Sequence, residues 1–297
     1  MKIIEVKNLG KRYRKNDFYS LKNASFVIEE GDIVGLVGKN GSGKSTLLKL
    51  LAKSQRPTEG EVFFRGKNIF KEDNILNDFG IMIDPVYFPQ ISVEENLKLF
   101  LKIHKKEEYL PNIESTLRLV GLWEARTRKP SDFSFGMKQR TALALALITK
   151  PKFVLLDEPF VGLDPIGVKN LLTILKEWAQ TNKTSMIVSS HQLAELEDLC
   201  NRYLFIDQGV IQSQFKSEQN SIIIELNRED ERQDNSVSSI DKLVAEYGLL
   251  YYEDKVEITN VEDNRALNEI LEQLAATQSI KTILSKKESL ERLFSED

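Results

Sequence analysis

The chain has 297 residues, of which 41% are hydrophobic and 29% are charged, and its formal net charge at pH 7 is −4. This balance is ordinary for a globular protein and supplies enough apolar side chains for a sizeable core. It lacks the basic excess that general nucleic-acid binding requires, so we expect no nucleic acid among the partners. The single cysteine, Cys200, cannot form an internal disulfide, and we interpret its side chain as a small buried apolar group.

The first residues alternate apolar and polar side chains, which is typical of a strand and unlike a signal peptide. The longest apolar runs, such as 142–148, are far shorter than the ~18 residues that span a bilayer. We therefore expect any membrane association to come through a partner.

The apolar patterning predicts an α/β fold with parallel strands over most of the chain. Strands are expected at 3–6, 24–28, 33–37, 153–156 and 186–189, and helices at 92–130 and 134–149. The texture changes after Gln214, where a polar segment at 227–239 lies among further short elements. These are strands at 222–226, 255–259 and 280–284, and helices at 240–247 and 266–275. We expect a large domain at 1–214 and a small α+β accessory domain at 215–297.

A glycine-rich segment at 38–45, with the sequence GKNGSGKS, follows the buried strand at 33–37 and precedes a helical pattern. It matches G-x-x-x-x-G-K-[ST] in full and in the required context. Its backbone N–H groups can wrap a phosphate at the positive end of the helix dipole. Lys44 is placed to reach the outer phosphates and the Ser45 hydroxyl to bind Mg²⁺, so ATP and Mg²⁺ are the expected cofactors. The residues expected to contact the nucleotide here are Gly38, Lys39, Asn40, Gly41, Ser42, Gly43, Lys44, Ser45 and Thr46.

Two carboxylates, Asp157 and Glu158, end the apolar strand at 153–156. Asp157 can hold Mg²⁺ directly or through water, and Glu158 can orient and deprotonate an attacking water. With the glycine-rich segment upstream, this pair predicts an ATPase in which Glu158 and Lys44 are catalytic.

Three further segments carry a family resemblance. Residues 133–140, FSFGMKQR, resemble the LSGGQ signature of ABC ATPases, residues 162–165, GLDP, resemble their D-loop, and residues 189–191, SSH, resemble the segment with their switch histidine. Tyr13 falls where such proteins stack an aromatic ring on adenine. The chain is therefore identified as a member of the ABC ATPases over about residues 1–215.

This resemblance implies a P-loop core with an antiparallel β subdomain and a helical signature subdomain at about 92–150. It implies a head-to-tail dimer in which ATP lies between the P-loop of one subunit and Ser134, Gly136 and Asp164 of the other. His191 would clamp the γ-phosphate region as a third catalytic residue. The second nucleotide-binding subunit would be another copy or a paralogue, and both would bind a separate transmembrane permease at the cytoplasmic face of the membrane.

Within the family, the chain resembles the ATPases of ABC-2-type exporters, the bacitracin-resistance and antimicrobial-peptide efflux group. The signature has the form S-x-G-M-K-Q-R, Asp84 stands where most members have the Q-loop glutamine, and residues 289–294, SLERLF, resemble a common ending there. The resemblance implies an exporter motor for a drug, an antimicrobial peptide or another amphipathic molecule. Phe135 departs from the pattern because it replaces the first signature glycine, whereas Ser134 and Gly136 are kept.

The Q-loop position has two candidates, Asp84 and Gln90. We prefer Asp84, because a carboxylate oxygen suits Mg²⁺ and because Gln90 is too close to the segment 95–97 that normally follows at a greater distance. Gln90 is then a surface loop residue. The expected metal ligands are Ser45, Asp84 and Asp157.

Three alternatives remain open. The chain could be a soluble ABC ATPase acting on ribosomes or DNA, although it has one P-loop and no heptad run. It could be a regulatory nucleotide-binding module without turnover, although Glu158 and His191 are both present. It could also be an importer ATPase, which the altered signature and the acidic Q-loop fit less well.

Overall fold

The computed structural model describes residues 1–14, 17–84, 87–191, 193–216, 221–226, 244, 247, 249–252, 255–258, 270–274 and 280–286. The polar segment predicted at 227–239 and the ending at 289–294 lie outside the described residues. The chain divides into two compact units, Met1–Lys216 and Ser217–Asp297.

The first unit contains ten strands and six α-helices among its described residues. Its strands are β1 Lys2–Lys11, β2 Leu21–Glu29, β3 Ile33–Val37, β4 Glu59–Phe64, β5 Lys67–Asn68, β6 Phe79–Met82, β7 Phe153–Asp157, β8 Ser185–Ser190, β9 Arg202–Asp207 and β10 Val210–Lys216. Its helices are α1 Lys44–Leu51, α2 Val93–Ile103, α3 Asn112–Leu119, α4 Phe135–Leu147, α5 Pro165–Asn182 and α6 Leu193–Leu199. All five strands predicted for this unit are confirmed.

One sheet is antiparallel and has the strand order β2-β1-β4-β5. Its strands alternate buried apolar with exposed polar side chains, as expected for a sheet with one face packed on the core and the other exposed to solvent. Ile4 lies between Ile28 and Phe64 of the two neighbouring strands, and all three side chains are buried. The period-two pattern in the sequence therefore fixes which face of this sheet enters the core.

The larger sheet has the strand order β10-β9-β3-β8-β7-β6, and every neighbouring pair from β9 to β6 is parallel. The apolar residues of β7 and all residues of β8 are buried, as expected for strands covered on both faces. Carboxyl ends of parallel strands meet at one sheet edge. The segments after β3, β7, β8 and β6 therefore come together, and these are the segments with the predicted site residues.

The helical region between these strands is more broken than the sequence suggested. The predicted start of the helix at 92 is confirmed, and Ser92 forms a capping box there: its hydroxyl accepts from the Glu95 N–H, and the Glu95 carboxylate accepts from the Ser92 N–H. However, 92–130 is not one helix. Here α2 ends at Ile103, Lys105 has a φ of +53°, and α3 with short 3₁₀ turns follows. A residue in the left-handed region ends the regular backbone, which the apolar spacing alone does not reveal.

Cys200 is buried, and burial raises the pKa of its thiol far above the usual value. Its side chain is therefore the neutral apolar group that the sequence predicted. Among the described residues, no helix is long and apolar enough to cross a membrane.

The second unit is built around an antiparallel sheet with the order β12-β13-β11-β14. Its strands are β11 Ser221–Leu226, β12 Leu250–Tyr252, β13 Lys255–Ile258 and β14 Ile280–Lys286. Ile224, Val256 and the helical residues Ile270 and Leu274 share a small buried core. The three strands predicted for this region are confirmed, and most of the two predicted helices lies outside the described residues.

Candidate functional site

A cleft of about 590 Å³ lies at the carboxyl edge of the parallel sheet, around the N-terminus of α1. The register of the sheet places the ends of three strands at this cleft, because Val37 pairs with Ser190 and Asp157 pairs with Ser189 on adjacent parallel strands. The cleft is lined by residues 39–46 together with Phe18, Tyr19, Ser20, Glu158, Gln208 and Gly209. The structure thus brings Glu158 to the glycine-rich loop from more than one hundred residues away in the chain.

The glycine-rich loop has the backbone that a phosphate cradle requires. Gly41 and Gly43 have φ values of +81° and +112°, which L side chains rarely adopt. A Cβ on Gly38 would collide with the Ile206 carbonyl oxygen, so the loop also needs glycine there for close packing. The first turn of α1 has no acidic residue to oppose an anion at the positive end of the helix dipole.

Lys44 is the first residue of α1, and its side chain is buried. Its Nζ donates to the Gly38 carbonyl oxygen at 2.6 Å and lies 3.4 Å from Glu158 Oε1. A buried cation held by a carbonyl and one carboxylate is positioned at the cleft and can exchange these partners for phosphate oxygens.

Glu158 is held by a chain of hydrogen bonds across the sheet edge. Its backbone N–H donates to Ser189 Oγ at 2.8 Å, and Ser189 Oγ donates to Asp157 Oδ1 at 2.6 Å. Glu158 Oε2 lies 2.9 Å from His191 Nδ1. Glu158 also has a φ of +48°, a conformation that is uncommon outside glycine. The network fixes the carboxylate beside Lys44 and His191.

Ser189 was not singled out in the sequence, although it links both predicted carboxylates. The available signal was its place on β8 directly opposite Asp157, but that register exists only once the sheet order is known. Its role is therefore a product of the parallel pairing and not of any local motif.

The cleft fits a nucleoside triphosphate with Mg²⁺. The Ser42 hydroxyl is buried within the loop and has no hydrogen-bond partner among the described residues, a vacancy that phosphate would fill. The exposed Ser45 hydroxyl and the half-buried Asp157 carboxylate offer the hard oxygen ligands that Mg²⁺ prefers.

Asp84 follows β6 with a φ of +46°, and its exposed carboxylate lies 2.6 Å from Lys49 Nζ on α1. This hydrogen bond is the main reason why the pKa of Lys49 is raised. Gln90 is exposed in the loop before α2, and that loop is held by Asn96, which bonds to the Phe88 backbone in both directions. The structure thus ties Asp84 to the helix of the phosphate cradle.

Tyr13, which the sequence predicted to stack on adenine, follows β1 and is half-buried. Its hydroxyl donates to Gln55 Oε1 at 2.6 Å, and the Lys11 Nζ lies 5.3 Å from the centre of its ring. The aromatic side chains that line the cleft are Phe18 and Tyr19, which the sequence reasoning missed. The signal for them was an aromatic pair shortly before β2, in a turn without a recognisable motif.

The remaining predicted residues, Ser134, Gly136 and Asp164, line a second cleft of about 440 Å³. We call it the signature cleft and the one around α1 the nucleotide cleft. Ser134 Oγ caps α4 by accepting from the Met137 N–H at 3.4 Å, and Asp164 Oδ1 caps α5 by accepting from the Gly167 N–H at 2.7 Å. The two clefts share no lining residue.

Comparisons with known proteins agree with this geometry. The family profile described as ABC transporter matches residues 21–161. The bacitracin transport ATP-binding protein BcrA of Bacillus licheniformis is 34% identical over 212 residues, which cover 70% of this chain and 67% of BcrA. The arginine transport ATP-binding protein ArtM of Bacillus subtilis (strain 168) is 35% identical over 217 residues, which cover 70% of this chain and 89% of ArtM.

Among solved structures, a dimeric post-hydrolysis state of the ATP-binding cassette MJ0796 bound to ADP and Pi matches with a TM-score of 0.65 at 26% identity. The match covers 72% of this chain and 98% of MJ0796. The predicted fold class, a P-loop α/β cassette with an antiparallel β subdomain, is therefore confirmed.

Proposed function

The chain belongs to the ATP-binding proteins of ABC transporters, and from this premise we propose that it is the motor subunit of an exporter for amphipathic peptide antibiotics. It is an ATPase that uses ATP and Mg²⁺, as the P-loop and the two carboxylates predicted. We also propose which residues perform hydrolysis, what the subunit binds and what it transports.

The observation that carries the proposed mechanism is the contact of Glu158 with both Lys44 and His191 in the nucleotide cleft. In this arrangement Lys44 neutralises the outer phosphates, Ser45 and Asp157 hold Mg²⁺, and Glu158 takes a proton from the attacking water. His191 keeps the carboxylate oriented and contacts the γ-phosphate region. Phosphoryl transfer depends mainly on such positioning and charge neutralisation.

A head-to-tail dimer follows from the separation of the two clefts. Ser134, Gly136 and Asp164 have no P-loop residue within their own cleft, so they would serve a nucleotide bound to another subunit. The matched cassette MJ0796 is described as dimeric. ATP binding would close this dimer, hydrolysis would open it, and a separate permease at the cytoplasmic face of the membrane would receive the motion.

The exporter assignment is supported by the share of each chain that the alignment with BcrA covers. Both chains extend well beyond the aligned region, which covers 70% of this chain and 67% of BcrA. The aligned region covers a larger share of ArtM, 89%. A second candidate is an amino-acid importer, because ArtM is as similar in identity as BcrA. The lantibiotic transport ATP-binding protein SrtF of Streptococcus pyogenes is 36% identical and is covered to the same 89% as ArtM, so chain length alone does not separate the two candidates. The exporter is favoured because both BcrA and SrtF are described as transporting peptide antibiotics and because BcrA has additional length comparable with the second unit of this chain.

The test begins with the tagged chain, captured from detergent-solubilised membranes, and the membrane protein that co-purifies with it. Both are expressed in a bacitracin-sensitive host, with Glu158→Gln as the matched inactive variant. We expect the parent pair to raise the inhibitory concentration of bacitracin or of a lantibiotic severalfold, and the variant pair to give none of this protection. ATP-dependent arginine uptake instead would establish the importer, and absence of any co-purifying membrane protein would establish a soluble ATPase.

A further inference from the structure

Phe135 is the first residue of α4, directly after the capping Ser134, and 51% of it is exposed. Its covered side faces Gly162. A Cβ built on Gly162 would lie 2.7 Å from Phe135 Cε1 and 2.8 Å from Phe135 Cδ1, closer than carbon atoms approach in proteins. The phenyl ring thus rests directly on the backbone of position 162, and a side chain there would require the ring to move.

Gly162 belongs to a tight turn that begins at the proposed catalytic glutamate. The Val161 N–H donates to the Glu158 carbonyl oxygen at 3.3 Å, and the Leu163 N–H donates to the Phe160 carbonyl oxygen at 3.2 Å. Gly162 itself has a φ of +75°. Two backbone hydrogen bonds thus hold the residues on either side of Gly162 to the segment that begins at Glu158.

A second contact joins the same two segments. A Cβ on Gly136 would lie 3.1 Å from Leu163 Cδ2, so the helix start and the turn pack closely at two successive residues on each side. The turn then ends at Asp164, which caps α5. The start of α4 and the turn 158–164 consequently form one packed unit between the two clefts.

We propose that Phe135 is a positioning residue, which seats the Gly162 turn against the start of α4 and thereby couples the signature cleft to Glu158 of the same chain. This inference rests on the proposed dimer, in which the signature cleft of one subunit contacts the nucleotide of the other. It gives a physical reason for the phenylalanine at a position where the family pattern has glycine.

The experiment is a double-mutant cycle of Phe135→Ala and Gly162→Ala on the full chain, measuring kcat and KM for ATP and the thermal unfolding midpoint. Gly66→Ala is the matched control for backbone strain, because Gly66 has a φ of +79° and a Cβ there would meet no atom within 4 Å. Phe88→Ala is the matched control for the loss of a phenyl ring, because Phe88 is also 51% exposed.

We expect Gly162→Ala to lower kcat at least about tenfold, equivalent to about 1.4 kcal/mol in the barrier, with KM for ATP changed less than about twofold. Phe135→Ala alone should lower kcat about threefold or more, and adding Gly162→Ala to it should cost less than about a further twofold. Both control variants should keep the parent kcat. In stability, Gly162→Ala should lower the unfolding midpoint more than Gly66→Ala does, but only while Phe135 is present.

Two results would overturn the inference: an equal effect of Gly162→Ala with and without Phe135, or a parent-like kcat for Phe135→Ala. A further measurement in the Glu158→Gln background separates it from the dimer proposal. If the Glu158→Gln chain forms no ATP-dependent dimer on size exclusion, the dimer proposal fails. If it forms one, the dimer proposal holds, and the kcat values of the double-mutant cycle alone decide whether Phe135 has the proposed role.

Discussion

The nucleotide cleft and the signature cleft are built in different ways, although each carries residues of the same predicted mechanism. In the nucleotide cleft, Glu158 contacts both Lys44 and His191, and the pairing of the strands at the sheet edge positions it. In the signature cleft, Ser134 and Asp164 bond only to the N–H groups of the helices that they cap. The first cleft brings its predicted residues into contact within one chain, whereas the predicted role of the second cleft requires a second subunit.

The largest expected effect comes from removing the proposed general base of the nucleotide cleft. Glu158→Gln keeps the size of the side chain and removes its ability to take a proton, so we expect kcat to fall about 10²- to 10⁴-fold while ATP still binds. The measurement is steady-state phosphate release together with a nucleotide-binding titration. Glu107→Gln, at an exposed position in a short 3₁₀ turn, is the matched control and should behave as the parent does. Undiminished turnover in Glu158→Gln would assign the base elsewhere.

The next largest effect is on ATP affinity, and it distinguishes the roles of the two clefts in nucleotide binding. Lys44→Ala removes a buried cation from the phosphate cradle, and loss of a charge-assisted hydrogen bond should weaken ATP binding to the isolated chain about tenfold to a hundredfold. Ser134→Ala should leave that affinity within about twofold and lower kcat instead, because in the proposed dimer Ser134 contacts the nucleotide of the other subunit. Equal loss of affinity in both variants would mean that the two clefts act on one nucleotide within the same chain.

The same contrast explains how much of the fold and of the site could be predicted from the sequence. Local signals gave the strands, the phosphate cradle and the order of the motifs, because each depends on neighbours in the chain. The link from Ser189 to Asp157, the seat of Phe135 on Gly162 and the bond from Tyr13 to Gln55 depend on register and loop packing. No local pattern specifies these contacts, so only the folded chain reveals them.

The next prediction tests whether Asp84 belongs to the nucleotide cleft. In the structure its carboxylate pairs with Lys49 Nζ at 2.6 Å, so Mg²⁺ would have to replace an exposed ion pair of small strength. We expect Asp84→Ala to raise the Mg²⁺ concentration for half-maximal hydrolysis about threefold to tenfold, with a smaller change in nucleotide affinity. Asp84→Asn should keep partial activity, since one oxygen ligand remains.

Gln90→Ala is the matched control for this Mg²⁺ titration, because Gln90 is exposed in the loop before α2. It should behave as the parent does. If Gln90→Ala is crippled and Asp84→Ala is not, then Gln90 is the Q-loop residue and the preferred alignment is wrong.

The smallest effect concerns the aromatic side chain that contacts the adenine. We expect Tyr13→Ala to weaken ATP binding about fivefold, since stacking of a base on an aromatic ring contributes about 1 kcal/mol at the low end of its usual range. Tyr13→Phe should retain affinity, because it removes only the hydroxyl that bonds to Gln55 and keeps the ring. Binding of inorganic tripolyphosphate, which has no base, should be the same in all three proteins.

Phe18→Ala is the decisive companion variant, because Phe18 lines the nucleotide cleft and 65% of it is exposed. If Tyr13 stacks on the base, Phe18→Ala should change ATP affinity less than Tyr13→Ala does. If the loss instead follows Phe18 and is specific to ATP over tripolyphosphate, the base lies on the aromatic pair before β2. The Tyr13 hydroxyl would then serve only to hold the end of β1 to Gln55. A loss of tripolyphosphate binding in either variant would place that side chain at the phosphates, against both assignments.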